Sequence, residues 1–251
     1  TPIDVVKYAS AYGSWINKNN KNKVKTIVLG RDGRISGPTL LELVKSTLIS
    51  MGINIIDIGL STTPTTQIIV QKNKANGGII LTASHNPKNW NALKLFNSKG
   101  EFLIKEEAEE IFKIVNEEKF EFKKEDEYGK INELTNSFKI HIDEVKKLEL
   151  INVEKIRNRK FKIVVDGINS GGGVIVPELL KELHASVVKI NCNPNGNFAH
   201  NPEPLDDNLT ELKNTVIKEK ADLAAADVKK GVKAPLNLVY CKNCQLLQLE
   251  H

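Results

Sequence analysis

The chain has 251 residues, 40% of them apolar and 27% charged, enough to bury a sizeable core as one large or two ordinary α/β domains. Its net charge of +5 comes from 36 basic and 31 acidic side chains scattered along the chain; without a basic block or many aromatics to stack on bases, nucleic acid is not an expected partner. No apolar run reaches the ~18 residues of a membrane span, and Thr1 to Ser10 lacks the charged-then-apolar order of a signal peptide, so the expectation is a soluble, cytoplasmic protein with no membrane partner.

The first predicted strand is Thr26-Ile27-Val28-Leu29, ending in Gly30. Leu40, Val44, Leu48 and Met51 then recur at helical spacing between Pro38 and Gly52, which predicts a helix started by proline and stopped by glycine. Ile55 to Ile58 is a second strand, a second helix starts near Pro64, and Gly78 to Leu81 is a third strand. Further along, Ile104, Ala108, Ile111 and Val115 mark a helix, the charged stretch Glu117 to Glu127 is expected on the surface, and Leu134, Phe138, Val145 and Leu148 mark another helix. A fresh start follows with an apolar strand at Phe161 to Val165 and Asp166, the glycine-rich Gly167 to Gly173, a helix from Val174 to His184 and a strand at Val187 to Ile190. The order strand, glycine turn, helix and strand thus occurs twice. It predicts two similar three-layer α/β/α domains, each with a mostly parallel mixed sheet and right-handed crossovers. The first covers residues 1–150, the second 151–228, and 229–251 is an unrecognised tail.

The three cysteines are Cys192, Cys241 and Cys244, an odd count that does not suggest a disulfide framework. Cys241 and Cys244 form a single C-x-x-C, which without a second ligand pair is weak as a zinc or redox motif. The closing Leu249-Glu250-His251 looks like the start of a histidine tag. Neither G-x-G-x-x-G nor a P-loop follows any predicted strand, which argues against a nucleotide-binding protein.

The densest group of reactive side chains is Thr82-Ala83-Ser84-His85-Asn86-Pro87, directly after a strand. In parallel α/β sheets functional loops gather at the carboxyl ends of the strands, and Gly30 to Gly37 and Thr82 to Asn91 both occupy such places. A serine on such a loop can be a nucleophile or carry phosphate; adjacent Ser and His, however, do not easily make a triad, no G-x-S-x-G elbow is present, and a polar turn between strands explains the same residues. Arg31 and Arg34 can fork onto phosphate or a carboxylate, or form a surface pair beside an Asp32 turn. Gly171-Gly172-Gly173 can cradle phosphate or make a tight turn.

Thr82 to Pro87, followed by Asn91 and Lys94, resembles the active-site serine loop of the α-D-phosphohexomutases, which include phosphoglucomutase, phosphomannomutase and phosphoglucosamine mutase. Gly30-Arg31-Asp32-Gly33-Arg34 with Ser36-Gly37-Pro38 is similar to that family's domain 1 turn. Asp166-Gly167-Ile168-Asn169 and Asn201-Pro202-Glu203-Pro204-Leu205 are similar to its domain 2. The resemblance covers nearly all of residues 1 to 225 and implies an isomerase that interconverts hexose 1- and 6-phosphates through a phosphoserine and a bisphosphorylated sugar. By that resemblance Ser84 carries phosphate, Lys94 is a general acid or base, and His85 supports the loop. Arg31, Arg34 and Asn86 bind substrate or phosphate, and the partner is a hexose phosphate. The family's magnesium would sit on phosphorylated Ser84 and three aspartates of a domain 2 loop, because a hard cation wants several carboxylate oxygens. Here the corresponding stretch reads Ala224-Ala225-Ala226-Asp227-Val228-Lys229-Lys230, leaving Asp227 at most. The expectation is therefore a phosphohexomutase whose first two domains alone do not turn over, with a non-catalytic module that kept the fold as the alternative.

Overall fold

The computed structural model describes residues 1–226. The Cys241–Cys244 pair, Asp227, and the tail at 229–251 with its tag-like end lie outside the described residues.

The first helix was not anticipated from sequence: α1 (Pro2–Asn19) opens on a capping box in which Thr1 accepts from the Asp4 amide and the Asp4 carboxylate reaches back to Thr1. Thr-Pro-x-Asp is a start signal that can be read locally, with proline at N1 where no amide hydrogen is needed. Then follow β1 (Lys25–Arg31), α2 (Gly37–Ser50), β2 (Ile53–Leu60), α3 (Thr63–Lys72), β3 (Gly77–Leu81), β4 (Leu93–Phe96), α4 (Lys105–Glu117), β5 (Ile131–Glu133) and α5 (Ser137–Lys146). Next come α6 (Val153–Arg159), β6 (Lys162–Asp166), α7 (Gly172–Glu182), β7 (Ser186–Ile190), α8 (Thr210–Glu219) and β8 (Leu223–Ala226). The helix expected from Leu134 starts later, because residues 131–133 pair in parallel with β2 and extend the sheet instead.

One sheet has the order β4-β3-β1-β2-β5, parallel except for the β3–β4 hairpin, and the other is β7-β6-β8, parallel throughout its described strands. The α/β class with mostly parallel mixed sheets is as expected. The pleat sends alternate side chains to opposite faces: Ile27 and Leu29 of β1 join a cluster with α1, α2 and α4, while Val28 joins Ile69 and Val70 of α3 on the other face. Burial on both faces explains why β1 and β3 read as continuous apolar runs rather than alternating ones. Tyr12 of α1 is fully buried and donates its hydroxyl to Phe96 O (2.6 Å), locking α1 over the β3–β4 edge.

The chain divides into two units. The first is Thr1–Asp32, Ser36–Thr82 and Asn91–His141; the second is Gly33–Ile35, Ala83–Trp90 and the chain from Ile142. The sequence expectation puts the joint near residue 150, whereas this division falls inside α5, whose Lys146 pairs with Glu182 of α7. Among the described residues no helix is long and apolar enough to cross a membrane.

Candidate functional site

Within the first unit, β1 and β3 are adjacent parallel strands with Arg31 opposite Leu81, so the residues after them emerge side by side. The Asp32 amide donates to Leu81 O (3.0 Å), and the Thr82 hydroxyl donates to Asp32 Oδ2 (2.6 Å). Both side chains are buried, where an unmade hydrogen bond costs about 1–3 kcal/mol, so this pair pins the two strand ends together. The Thr82 amide donates to Ala92 O (2.9 Å) across the base of the hairpin.

In the second unit, residues 83–90 form a loop tied by its own turns. The Asn86 amide and side-chain NH2 both donate to Ala83 O (3.0 Å each), and the Trp90 amide donates to Pro87 O (3.0 Å). Ser84 is half-buried with φ of 56°, a left-handed conformation that costs a side-chain-bearing residue about 1–2 kcal/mol and is kept only where the surroundings impose it.

Those surroundings are built on Arg34, whose side chain is completely buried. Its Nη1 donates to Pro87 O (2.6 Å) and Trp90 O (2.7 Å), and its Nη2 to Ser84 O (2.9 Å) and Asn86 O (2.9 Å). The Phe198 ring lies with its centroid 5.1 Å from the guanidinium carbon, within cation–π range. Gly196, at φ of 77°, lies against the backbone of 33–35. The Gly33 amide donates to Ser170 Oγ (3.1 Å), and the Gly196 amide to Asn169 O (3.1 Å). The expectation that Arg34 meets phosphate does not fit a guanidinium closed off from solvent and turned onto four carbonyls.

The sequence-predicted residues thus fall into two groups. Ser84, His85, Asn86 and Arg34 share the second unit. Arg31 and Lys94 belong to the first. Arg31 is half-buried and donates from Nη1 to Asp32 O (3.0 Å); burial pushes its pKa down, against the pull of Asp32 and Asp57. Lys94 sits in β4 opposite Ile80, its Nζ 5.9 Å from the centroid of the Phe102 ring. Asn91 donates to Ser36 Oγ (3.0 Å). Gly171 caps α7 in right-handed backbone and Gly172 and Gly173 are its first residues, so they do not make the tight turn expected of them; a Cβ at Gly173 would come within 2.9 Å of Cys192 Cα, and close packing against the chain after β7 accounts for the glycine there.

The described residues do not make a magnesium site. No three His, Cys, Asp or Glu side chains gather among them as ligands, and Ala224 to Ala226 at the end of β8 supply no carboxylate.

Sequence reasoning missed Phe198, Gly196, Ser170 and the His200–Asp166 pair. A signal existed in Asn193-Pro194-Asn195-Gly196, a strong turn sequence, but nothing local says what such a turn packs against.

Residues 1–122 match the family described as phosphoglucomutase/phosphomannomutase, alpha/beta/alpha domain I, and residues 139–227 match its domain II. The chain belongs to the phosphoglucomutase/phosphomannomutase family. It is 34% identical over 227 residues to a Thermococcus kodakarensis protein named phosphoglucomutase/phosphomannomutase, covering 90% of this chain and 49% of that protein. It is 32% identical to a phosphoglucosamine/phosphogalactosamine mutase of Sulfurisphaera tokodaii, with 90% of this chain and 49% of that one covered. The chain therefore spans about half the length of the curated relatives it matches. A crystal structure of a phosphoglucomutase/phosphomannomutase family protein from Burkholderia thailandensis superposes with a TM-score of 0.72 at 22% identity, over 89% of this chain and 48% of that one, and supports the shared fold.

His200 gives this chain a measurable pH signature. Its Nε2 lies 3.0 Å from Oδ2 of the buried Asp166 and its Nδ1 2.8 Å from Asn201 O. A carboxylate and a carbonyl only accept, so the ring suits both when each nitrogen carries a proton. Burial pulls the His200 pKa down, but the Asn201 carbonyl, the Asp166 carboxylate and Glu211 together outweigh it and leave it above 6.5. The stabilisation is then complete below the unfolded value of 6.5 and is lost as pH rises through the higher folded value. His141 acts with the opposite sign, because burial lowers its pKa and the stability it permits is lost as pH falls below 6.5. Comparing the protein with His200→Gln cancels the His141 contribution. The expected difference in urea unfolding is about 2 kcal/mol in favour of His200 near pH ~6, shrinking toward zero near pH ~9. A difference independent of pH would contradict the charged pair.

Proposed function

We propose that Ser84 carries a phosphoryl group and exchanges it with hydroxyls of a hexose phosphate, interconverting the 1- and 6-phosphates through a bisphosphorylated sugar. The observation that carries this reading is the loop itself: a serine raised in left-handed backbone after a strand's carboxyl end, within the motif Thr82 to Pro87, in a chain of the phosphoglucomutase/phosphomannomutase family. In the transfer, a sugar hydroxyl oxygen forms a bond to phosphorus as the Ser84 Oγ–P bond breaks; Oγ leaves with the electron pair and the hydroxyl gives its proton to a base. In the second half, Oγ takes phosphate from the other position. A nucleophile that is charged and discharged reversibly divides one difficult transfer into two easier ones. Lys94 serves as the acid or base, His85 and Asn86 shape the loop and meet phosphate, and Arg31 adds positive charge. Cations matter because this chemistry depends on positioning and on neutralising the phosphoryl oxygens. Magnesium is expected of the whole protein, which would work in the cytoplasm. Since the curated relatives are about twice as long as the matched region, turnover belongs to the whole protein and residues 1–251 alone are inactive.

A second reading has its own observation. Asp227-Val228-Lys229-Lys230 puts lysines where the metal carboxylates belong, which favours a non-catalytic module that binds phosphate-bearing ligands or a protein partner. Tight magnesium binding by residues 1–251 would count against it.

The test is to incubate the full-length protein carrying these residues with a hexose 1,6-bisphosphate and to follow intact mass. One added phosphate located at Ser84 by fragmentation is expected; a protein that stays unmodified there would sink the mutase reading.

A further inference from the structure

Arg34 and Ser84 are 50 residues apart in sequence and meet where the Arg34 guanidinium donates to the Ser84 carbonyl. The four acceptors of Arg34 are the carbonyls of residues 84, 86, 87 and 90, so almost the whole serine loop is gathered around one guanidinium.

We propose that Arg34 is a positioning residue: by gathering these four carbonyls it holds Ser84 in its left-handed conformation and so fixes the place at which the serine takes up and hands on the phosphoryl group. This rests on the phosphoserine reading for its purpose but not for its geometry. Lysine cannot replace arginine here, because one ammonium with three donors cannot reach four carbonyls spread over a planar fork. Phe198 covers the guanidinium and keeps its donors on the loop.

The experiment uses Arg34→Lys and Arg34→Ala in the full-length protein, with two readouts. The first is the rate of Ser84 phosphorylation by a hexose 1,6-bisphosphate. Arg34→Lys is expected to load about 10²-fold more slowly, as a displacement of about 1 Å at the reacting atom would produce, with the concentration of bisphosphate giving half the maximal rate unchanged. Guanidinium ion at low millimolar concentration is expected to recover at least tenfold in Arg34→Ala, which loss of general stability would not allow. A rise in that half-saturating concentration with the maximal rate intact would overturn the proposal in favour of direct phosphate binding. The second readout is amide hydrogen exchange over 83–91, which needs no phosphate. Faster exchange confined to this loop in Arg34→Lys is expected, and unchanged protection would overturn the proposal. If Arg34→Ala does not fold, the lysine variant decides on both readouts. If the unaltered protein takes no phosphate while exchange behaves as expected, the mutase reading fails and the loop-holding role of Arg34 stands.

Discussion

Replacing Ser84 by alanine or by glycine is expected to abolish phosphate uptake at this position and to slow turnover by the full-length protein ~10³-fold or more, since no other group on the loop can form the ester. The two variants should nevertheless differ in stability. At φ of 56° a Cβ crowds the carbonyl oxygen that follows, and glycine escapes that cost. Ser84→Gly is therefore expected to unfold at higher denaturant than Ser84→Ala, by about 1 kcal/mol. Both lack the hydroxyl, so the comparison isolates backbone strain from anything that hydroxyl bonds to. Equal midpoints would mean that the loop relaxes out of the left-handed conformation when the serine is removed. The predicted order, with the unloadable glycine variant the more stable, is what a strained functional residue should show.

How much of this was legible beforehand depends on how locally each feature is encoded. The strands at Ile27, Ile55 and Ile79 and the helix through Val44, Leu48 and Met51 follow from runs and periods of apolar residues, and these residues are buried as the patterns require, whereas Leu40, expected on the same helix face, is only half-buried and its neighbour Leu41 is buried instead. The Ser84 loop was visible because its residue types are unusual together. The first helix was missed because half of its buried face is small or polar, with Ala9, Ser10, Ala11 and Gly13 giving no apolar stripe. Arg34 was misread for a more general reason. An arginine between two glycine-rich turns looks exposed, and its burial is created only when residues 84–90, distant in sequence, fold their carbonyls around it. Phe198 and His200 are of the same kind: each acts on a partner 34 or more residues away, as His200 does on Asp166, so local pattern carries no trace of the pairing.

The same long-range packing makes Gly196→Ala the most damaging small substitution near the loop. An alanine Cβ there would overlap Gly33 O and come within 2.8 Å of Ile35 N and 3.1 Å of Arg34 C, all backbone atoms that cannot swing aside as a side-chain tip would. The φ of 77° adds its own penalty. Together, left-handed strain and overpacking amount to about 2–4 kcal/mol, which exceeds what a surface turn returns by staying docked, so the segment around 193–200 should lift from residues 33–35. Two consequences separate this from general destabilisation. Amide exchange and proteolysis should rise in 193–200 before they rise in the strand at Lys162–Asp166, and the loop at 83–90 should loosen with them, because Phe198 leaves the Arg34 guanidinium open to water. Phosphate uptake at Ser84 should then fall while the stability of the first unit, measured by exchange in Ile27 to Leu29, stays unchanged. Preserved exchange at 83–90 with a freed 193–200 segment would show instead that Arg34 holds the serine loop without help from Phe198.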